Sequence, residues 1–280
     1  LWKPKAANSR ALLRTENWMP TALLAELNGD KLKDLIYLNA GDDGLGQLNI
    51  HYQTQAIGFA AKPDWQGPID TRGDIRLADI NNDGFEDLLR LTGEGNEWEA
   101  DFHLNTNGSF KLQQANQIMR FSGYDVRLEF VELDDKEKPI LNVSYYTIPV
   151  VEAIRNASIT RTQLLYSAEN AETKQLFARR PSSRLEESFS ANNIRGLSEQ
   201  MSLRYDVDGD GTNDALYVTD DGTLAAKKIN NQLQIADSPF WEYISGRTVF
   251  EFEVLSLNSD NIPDIILRHG TTTSILVARP

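Results

Sequence analysis

Five times along this chain a short acidic loop stands between two strand-like apolar runs, and that recurrence constrains the fold more than any other feature. The clearest copy is YDVDGDGTNDALYV at 205–218, which places Asp206, Asp208, Asp210 and Asp214 at positions one, three, five and nine of a loop. The first positions of the five copies are residues 26, 79, 132, 206 and 256, so the intervals are 53, 53, 74 and 50 residues. A period near 50 residues is the mark of one supersecondary unit repeated along the chain, with solenoids and propellers as the usual outcome.

The copies differ in quality. ADINNDGFEDLL at 78–89 carries Asp79, Asn81, Asp83 and Asp87 at the same offsets, with Gly84 in sixth place. AELNGDKLKDLI at 25–36 carries Glu26, Asn28, Asp30 and Asp34, but Lys31 replaces the glycine. LSLNSDNIPDII at 255–266 carries Ser256, Asn258, Asp260 and Asp264, with Asn261 in sixth place. VELDDKEKPIL at 131–141 keeps only Glu132 and Asp134, and Lys136 stands at a ligand position, where its ammonium would replace an ion.

Like charges packed into one turn repel, and a cation reverses the sign of that term. Oxygens at alternate positions of a tight loop suit a hard ion such as calcium, which takes six to eight of them. The sixth position calls for a left-handed backbone, which glycine adopts at least cost. The EF-hand loop begins with the same pattern but needs a bidentate Glu at position twelve and helices on both sides. Here position twelve is Tyr217 and the flanks are strand-like. The competing reading is an Asx-rich turn capped by its own backbone N–H groups, with no metal.

Around each loop the chain alternates as strands do: DIRLADI before the second loop, DLLRL after it, then EADFHLNTNG and a shorter fourth run, SFKLQQA at 109–115. Four short strands per unit describe a propeller blade.

ADINNDGFEDLL and YDVDGDGTNDALYV resemble the FG-GAP/VCBS repeat, the calcium-loop blade of integrin α-chain heads and of many bacterial surface and secreted proteins. The resemblance spans nearly the whole chain and implies an all-β domain over 1–280, a five-bladed β-propeller with four antiparallel strands per blade. The blades fall near 17–62, 63–116, 117–200, 201–237 and 238–280. Residues 1–16 are expected to supply the missing strand of the last blade, and the long interval places an insertion in blade three, roughly 147–200, with a short helix after Pro149. The resemblance also implies structural Ca2+ held by Asp206, Asp208, Asp210, Asp214 and the Thr212 carbonyl. A second ion would be held by Asp79, Asn81, Asp83, Asp87 and the Phe85 carbonyl. Poorer sets are Glu26, Asn28, Asp30 and Asp34, and Asn258, Asp260 and Asp264.

Several classes are disfavoured. There is no Cys, which excludes disulfides and thiolate metal sites. A formal charge of −13 argues against nucleic acid, whose binding is driven by Lys and Arg. No run of about 18 apolar residues is present to span a membrane. His51 and His103 occupy matching third-strand positions, which points to packing rather than a catalytic pair. Trp18, Trp65 and Trp241 are read in connections leading into first strands, either packing between blades or, for Trp65 and Trp241, stacking on sugars. Within the insertion, residues 153–200 carry a net +2, and Arg179, Arg180 and Arg184 flank Pro181 as a basic patch for an acidic partner. The expected function is a calcium-stabilised binding, adhesion or scaffold module outside the cytoplasm that recognises protein or glycan. The alternatives are a polysaccharide lyase or hydrolase on a propeller face, or a structural segment of a larger surface protein.

Overall fold

The computed structural model describes residues 22–41, 44–56, 58–133, 139–148, 158–169, 175–190, 201–219, 222–258 and 262–278. Residues 1–16, Trp18, Asp134, Lys136 and the helix expected after Pro149 lie outside them. The described residues form 21 strands and no α-helix. The chain divides into two compact units, Leu1–Glu94 with Trp98–Arg120, and Gly95–Glu97 with Phe121–Pro280.

The first sheet runs in chain order through β1 (Ala22–Ala25), β2 (Asp34–Ala40), β3 (Leu45–His51) and β4 (Trp65–Asp70), every pair antiparallel. The second holds β5 (Asp74–Ala78), β6 (Asp87–Glu94) and β7 (Glu97–His103). A two-residue hairpin, β8 (Asn105–Thr106) with β9 (Ser109–Phe110), follows before β10 (Gln117–Ser122) completes that sheet beside β7. The third comprises β11 (Tyr124–Val131), β12 (Ile140–Thr147), β13 (Ser158–Tyr166) and β14 (Ser183–Ser190). The fourth comprises β15 (Ser202–Tyr205), β16 (Asp214–Val218), β17 (Leu224–Lys227) and β18 (Trp241–Tyr243). The last has three strands, β19 (Glu251–Leu255), β20 (Asp264–Arg268) and β21 (Thr273–Leu276).

Strand periodicity decides where the core lies. Alternate side chains of a strand point to opposite faces, and the second strand of the fourth sheet is apolar on both. In the fourth sheet Ala215, Tyr217 and Ala225 join Val131, Leu133, Ile140 and Leu165 of the third sheet and its loop in one buried cluster. Their neighbours Leu216, Val218, Leu224 and Ala226 point the other way and pack on Val249, Phe252, Ile265 and Leu267 beside and within the fifth. The fourth sheet is therefore covered on both faces, which is why DALYV is buried throughout. In the first unit Ile36, Leu38, Leu48 and Ile50 pack likewise against Ile75, Leu88 and Phe110.

The fourth strands lie later than the sequence reading puts them. SFKLQQA supplies only the short β9, and the true fourth strand of the second sheet is β10. Trp65 and Trp241 open β4 and β18, the fourth strands of their sheets, rather than sitting in connections. The repeat boundaries drawn at 63, 117 and 238 thus each assign a fourth strand to the following repeat. The physical cause is that outer strands alternate between exposed and buried residues, and a Gly-Pro or polar pattern there reads as a connection. The presumed insertion is also smaller than 147–200, because β13 and β14 are the third and fourth strands of the third sheet itself.

One buried ion pair ties these two strands together. Arg161 is 1% exposed, binds Glu187 at 2.6 Å and lies 5.1 Å over the Phe189 ring. Removing one partner of a buried pair strands the other charge, at a cost of about 3–5 kcal/mol. Glu187 keeps some solvent contact, so Glu187→Ala is expected to cost about 3 kcal/mol, read as a lower urea midpoint at unchanged slope.

Candidate metal centre

Each acidic loop joins the first strand of a sheet to the second: 26–33 joins β1 to β2, 79–86 joins β5 to β6, 206–213 joins β15 to β16, and 256–263 joins β19 to β20. Residue nine of each motif opens the second strand. Asp34, Asp87, Asp214 and Asp264 are all 0% exposed. Their burial has one recurring reason. Oδ2 accepts the backbone N–H of loop position two, from Leu27 at 3.2 Å, Ile80 at 3.0 Å, Val207 at 2.8 Å and Leu257 at 2.8 Å. Oδ1 accepts a second N–H from the chain leaving the third strand, Gln53 at 2.9 Å, Asn105 at 2.7 Å and Ala278 at 2.9 Å. One carboxylate therefore clamps the loop to the chain that leaves the third strand.

The fourth sheet breaks that pattern. No backbone amide reaches Asp214 Oδ1, and the Lys228 ammonium approaches it instead, at 3.2 Å. That contact is an ion pair off the line of a hydrogen bond, so this buried oxygen has no hydrogen-bond donor. Burial raises the Asp214 carboxyl above its ordinary pKa, opposed by the Val207 amide and Lys228. Burial raises Asp34 as well, and pushes Asp87 up to about 7 against its two amides.

The turns themselves share one conformation. Positions four and six are left-handed in all three well-described copies: Gly29 and Lys31 at φ 86° and 67°, Asn82 and Gly84 at 59° and 88°, Gly209 and Gly211 at 79° and 92°. That backbone points successive N–H groups inward at the side chain of position one. Glu26 Oε1 accepts from Gly29 at 2.7 Å, Asp79 Oδ2 from Gly84 at 2.8 Å, and Asp206 Oδ2 from Gly211 at 2.7 Å. Position five accepts the amide of position seven, from Leu32 at 2.8 Å, Phe85 at 3.0 Å and Thr212 at 2.9 Å. This is the Asx-capped network that holds such a turn whether or not an ion is bound.

The charge left over is handled differently in each loop. In the first two loops the position-three amide donates to the position-five carboxylate, Asn28 Nδ2 to Asp30 at 3.4 Å and Asn81 Nδ2 to Asp83 at 2.9 Å. In the fourth sheet that position is a third aspartate. Carboxylate oxygens of Asp206, Asp208 and Asp210 lie within 4.8 Å of one another. Glu26 Oε2 in the first loop is buried without a hydrogen-bond partner, as Asp214 Oδ1 is in the fourth. Both are oxygens a cation could use. Of the fourth candidate set, Asp260 lies outside the described residues and Asn258 is exposed.

Neighbouring loops are joined by the residue at position eight. Glu86 donates its backbone N–H to Glu26 O at 3.3 Å, and Asn213 donates to Leu133 O at 3.1 Å and through its side chain to Glu132 O at 2.8 Å. Position eight of the last loop is Pro263, which has no N–H to give. An open cleft of about 360 Å3 lies there, lined by Arg204, Asp206, Ser256, Ile262 and Pro263 among others.

The remaining candidates do not converge on these loops. Trp65 packs edge-on against Phe110 at 6.2 Å, and Trp241 stacks on Tyr243 at 6.5 Å. Arg179, Arg180 and Arg184 are exposed, and Arg184 is paired with Glu186. His51, His103 and His269 each direct Nδ1 to a backbone carbonyl, of Ala60, Lys111 and Thr248. Sequence reasoning missed Lys228 and the left-handed fourth position. The second had a signal in Gly29, Asn82 and Gly209; the first had none, because Lys228 is 14 residues beyond the loop.

Compared with models of protein families and with curated proteins, the chain matches none.

The carboxylate clamp is testable apart from metal. In chelator, Asp264→Asn places an amino group against one of two N–H donors, and a loss of about 1–3 kcal/mol is expected. Urea unfolding measures it, and an unchanged midpoint would remove the clamp's energetic role.

Proposed function

We propose that the five sheets are the blades of one β-propeller of the FG-GAP/VCBS kind, and that the chain is a calcium-stabilised binding module acting outside the cytoplasm on protein or glycan. Three observations support the propeller: the sheets follow one another along the chain with strands in near-consecutive order, sheets adjacent in sequence within each unit pack face to face, and four of the five strand-one to strand-two junctions carry the acidic loop motif.

The observation that carries the metal reading is at 206–214. Asp206, Asp208 and Asp210 gather their oxygens within 4.8 Å, and Asp214 adds a buried oxygen that no hydrogen bond satisfies. A hard cation would answer both the repulsion and the unsatisfied oxygen. Asp206, Asp208, Asp210, Asp214 and the Thr212 carbonyl would hold it there; Asp79, Asn81, Asp83, Asp87 and the Phe85 carbonyl would hold a second. The ion's contribution is charge neutralisation and bracing of the blade, with no reacting group involved. Millimolar calcium outside the cell fills even modest sites of this sort. The free loop faces are then left to bind a partner, as repeat proteins commonly do.

Calorimetry in calcium and in chelator tests the reading. A hundredfold excess over the dissociation constant stabilises by about 2.7 kcal/mol, a rise of about 5–10 °C in melting temperature. Identical melting in calcium and in chelator would sink it.

A further inference from the structure

The lysine found beside the best candidate loop has a position that the loop chemistry does not require of it. Lys228 Nζ lies 2.7 Å from Asp208 and 2.6 Å from Asp210, and both are hydrogen bonds. The same atom lies 3.2 Å from the buried Asp214 Oδ1. Three carboxylates from positions three, five and nine thus surround one positive centre. The side chain also passes over the Phe240 ring, with Nζ 4.7 Å from its centroid. Burial works to lower the ammonium's pKa, but the hydrogen bonds to Asp208 and Asp210 and the ion pair with Asp214 overcome it and hold it well above the ordinary lysine range.

The other sheets explain why the place is open to a side chain. Leu35 pairs with His51 in the first sheet and Ile265 with Leu276 in the last, and the amide two residues further on, Gln53 or Ala278, caps the ninth aspartate. In the fourth sheet Ala215 pairs with Lys227, so the equivalent amide belongs to Ile229. Ile229 lies in a bridge with Ile235, closed by the Asn230 and Ala236 N–H groups, and no hydrogen bond from Ile229 reaches Asp214 Oδ1. The Lys228 ammonium lies 3.2 Å from that oxygen instead.

We propose that Lys228 is a resident counter-ion of the 206–214 loop, occupying the point a divalent cation would take, so that this loop stays closed without metal and admits a cation only by displacing the lysine. The inference rests on the calcium reading given above and adds its regulation: the loop richest in carboxylates is a guarded site rather than the tightest one. An ammonium supplies a single charge and directional hydrogen bonds, whereas calcium supplies two charges and accepts more oxygens. Displacement is therefore feasible but opposed, and the measured affinity is reduced by the work of moving the lysine. Among the described residues no ammonium or guanidinium pairs with Asp79, Asp83 or Asp87, and Asp83 accepts from the Asn81 amide and the Phe85 N–H instead.

Titration calorimetry with calcium, on wild type and Lys228→Met, is the test. Lys228→Met should bind calcium at this loop at least tenfold more tightly than wild type. The gain should vanish in Lys228→Met/Asp208→Asn. The same variant should melt below wild type in chelator and recover in calcium. Equal affinity in wild type and Lys228→Met overturns the counter-ion role while leaving calcium binding in place. Absence of binding to this loop in both overturns the counter-ion role and removes the proposed calcium function here as well. Should Lys228→Met not fold in chelator, amine labelling of wild type decides the point. Calcium at saturating concentration should free Lys228 and raise its labelling several-fold, with neighbouring Lys227 unchanged. Unchanged labelling of Lys228 at saturation overturns the proposal.

Discussion

The fold hangs on an aspartate that water never reaches. Asp34, Asp87, Asp214 and Asp264 each stand at the first residue of a second strand, fully buried. A carboxylate removed from water is costly unless its oxygens are satisfied, and in three of the four sheets two backbone amides from separated parts of the same sheet do this. The clamp fixes where the first strand ends and where the third strand leaves. It also decides that a loop of nine positions, rather than a tight hairpin, joins the first two strands.

Everything acidic in the loops follows from that arrangement. Left-handed residues at positions four and six turn the amides inward, and carboxylates at positions one and five are needed to receive them. Once two carboxylates have been committed to the turn, a third and fourth create repulsion that something must offset. An asparagine at position three does so in the first two loops. In the fourth sheet the position is an aspartate, and the balance passes to an ammonium from the end of the third strand. The same backbone geometry thus supports several ways of balancing charge.

Much of this was legible in the chain. The motif spacing located the loops, and the periodic apolar runs located the second and third strands, because those strands are buried on one or both faces and leave a strong pattern. Lys31 shows the limit of residue preference: it stands where the turn favours glycine, yet its φ is 67°, held there by the capping amides around it. The fourth strands were misplaced because an outer strand carries polar residues, glycine and proline, and WQGPID resembles a connection as much as a strand. The two tryptophans went with them, taken for connection residues when they begin β4 and β18 and pack on aromatic neighbours.

The sequence by itself determined the all-β class and the positions of the acidic loops, since these depend on local spacing and on two-residue periodicity. Only the tertiary structure decided how the carboxylates are used. The ninth aspartate's second donor comes from beyond the third strand, 14 to 19 residues away, and in the fourth sheet an ion pair with Lys228 stands in its place. Partners so distant in the chain are chosen by strand register, which no local pattern encodes.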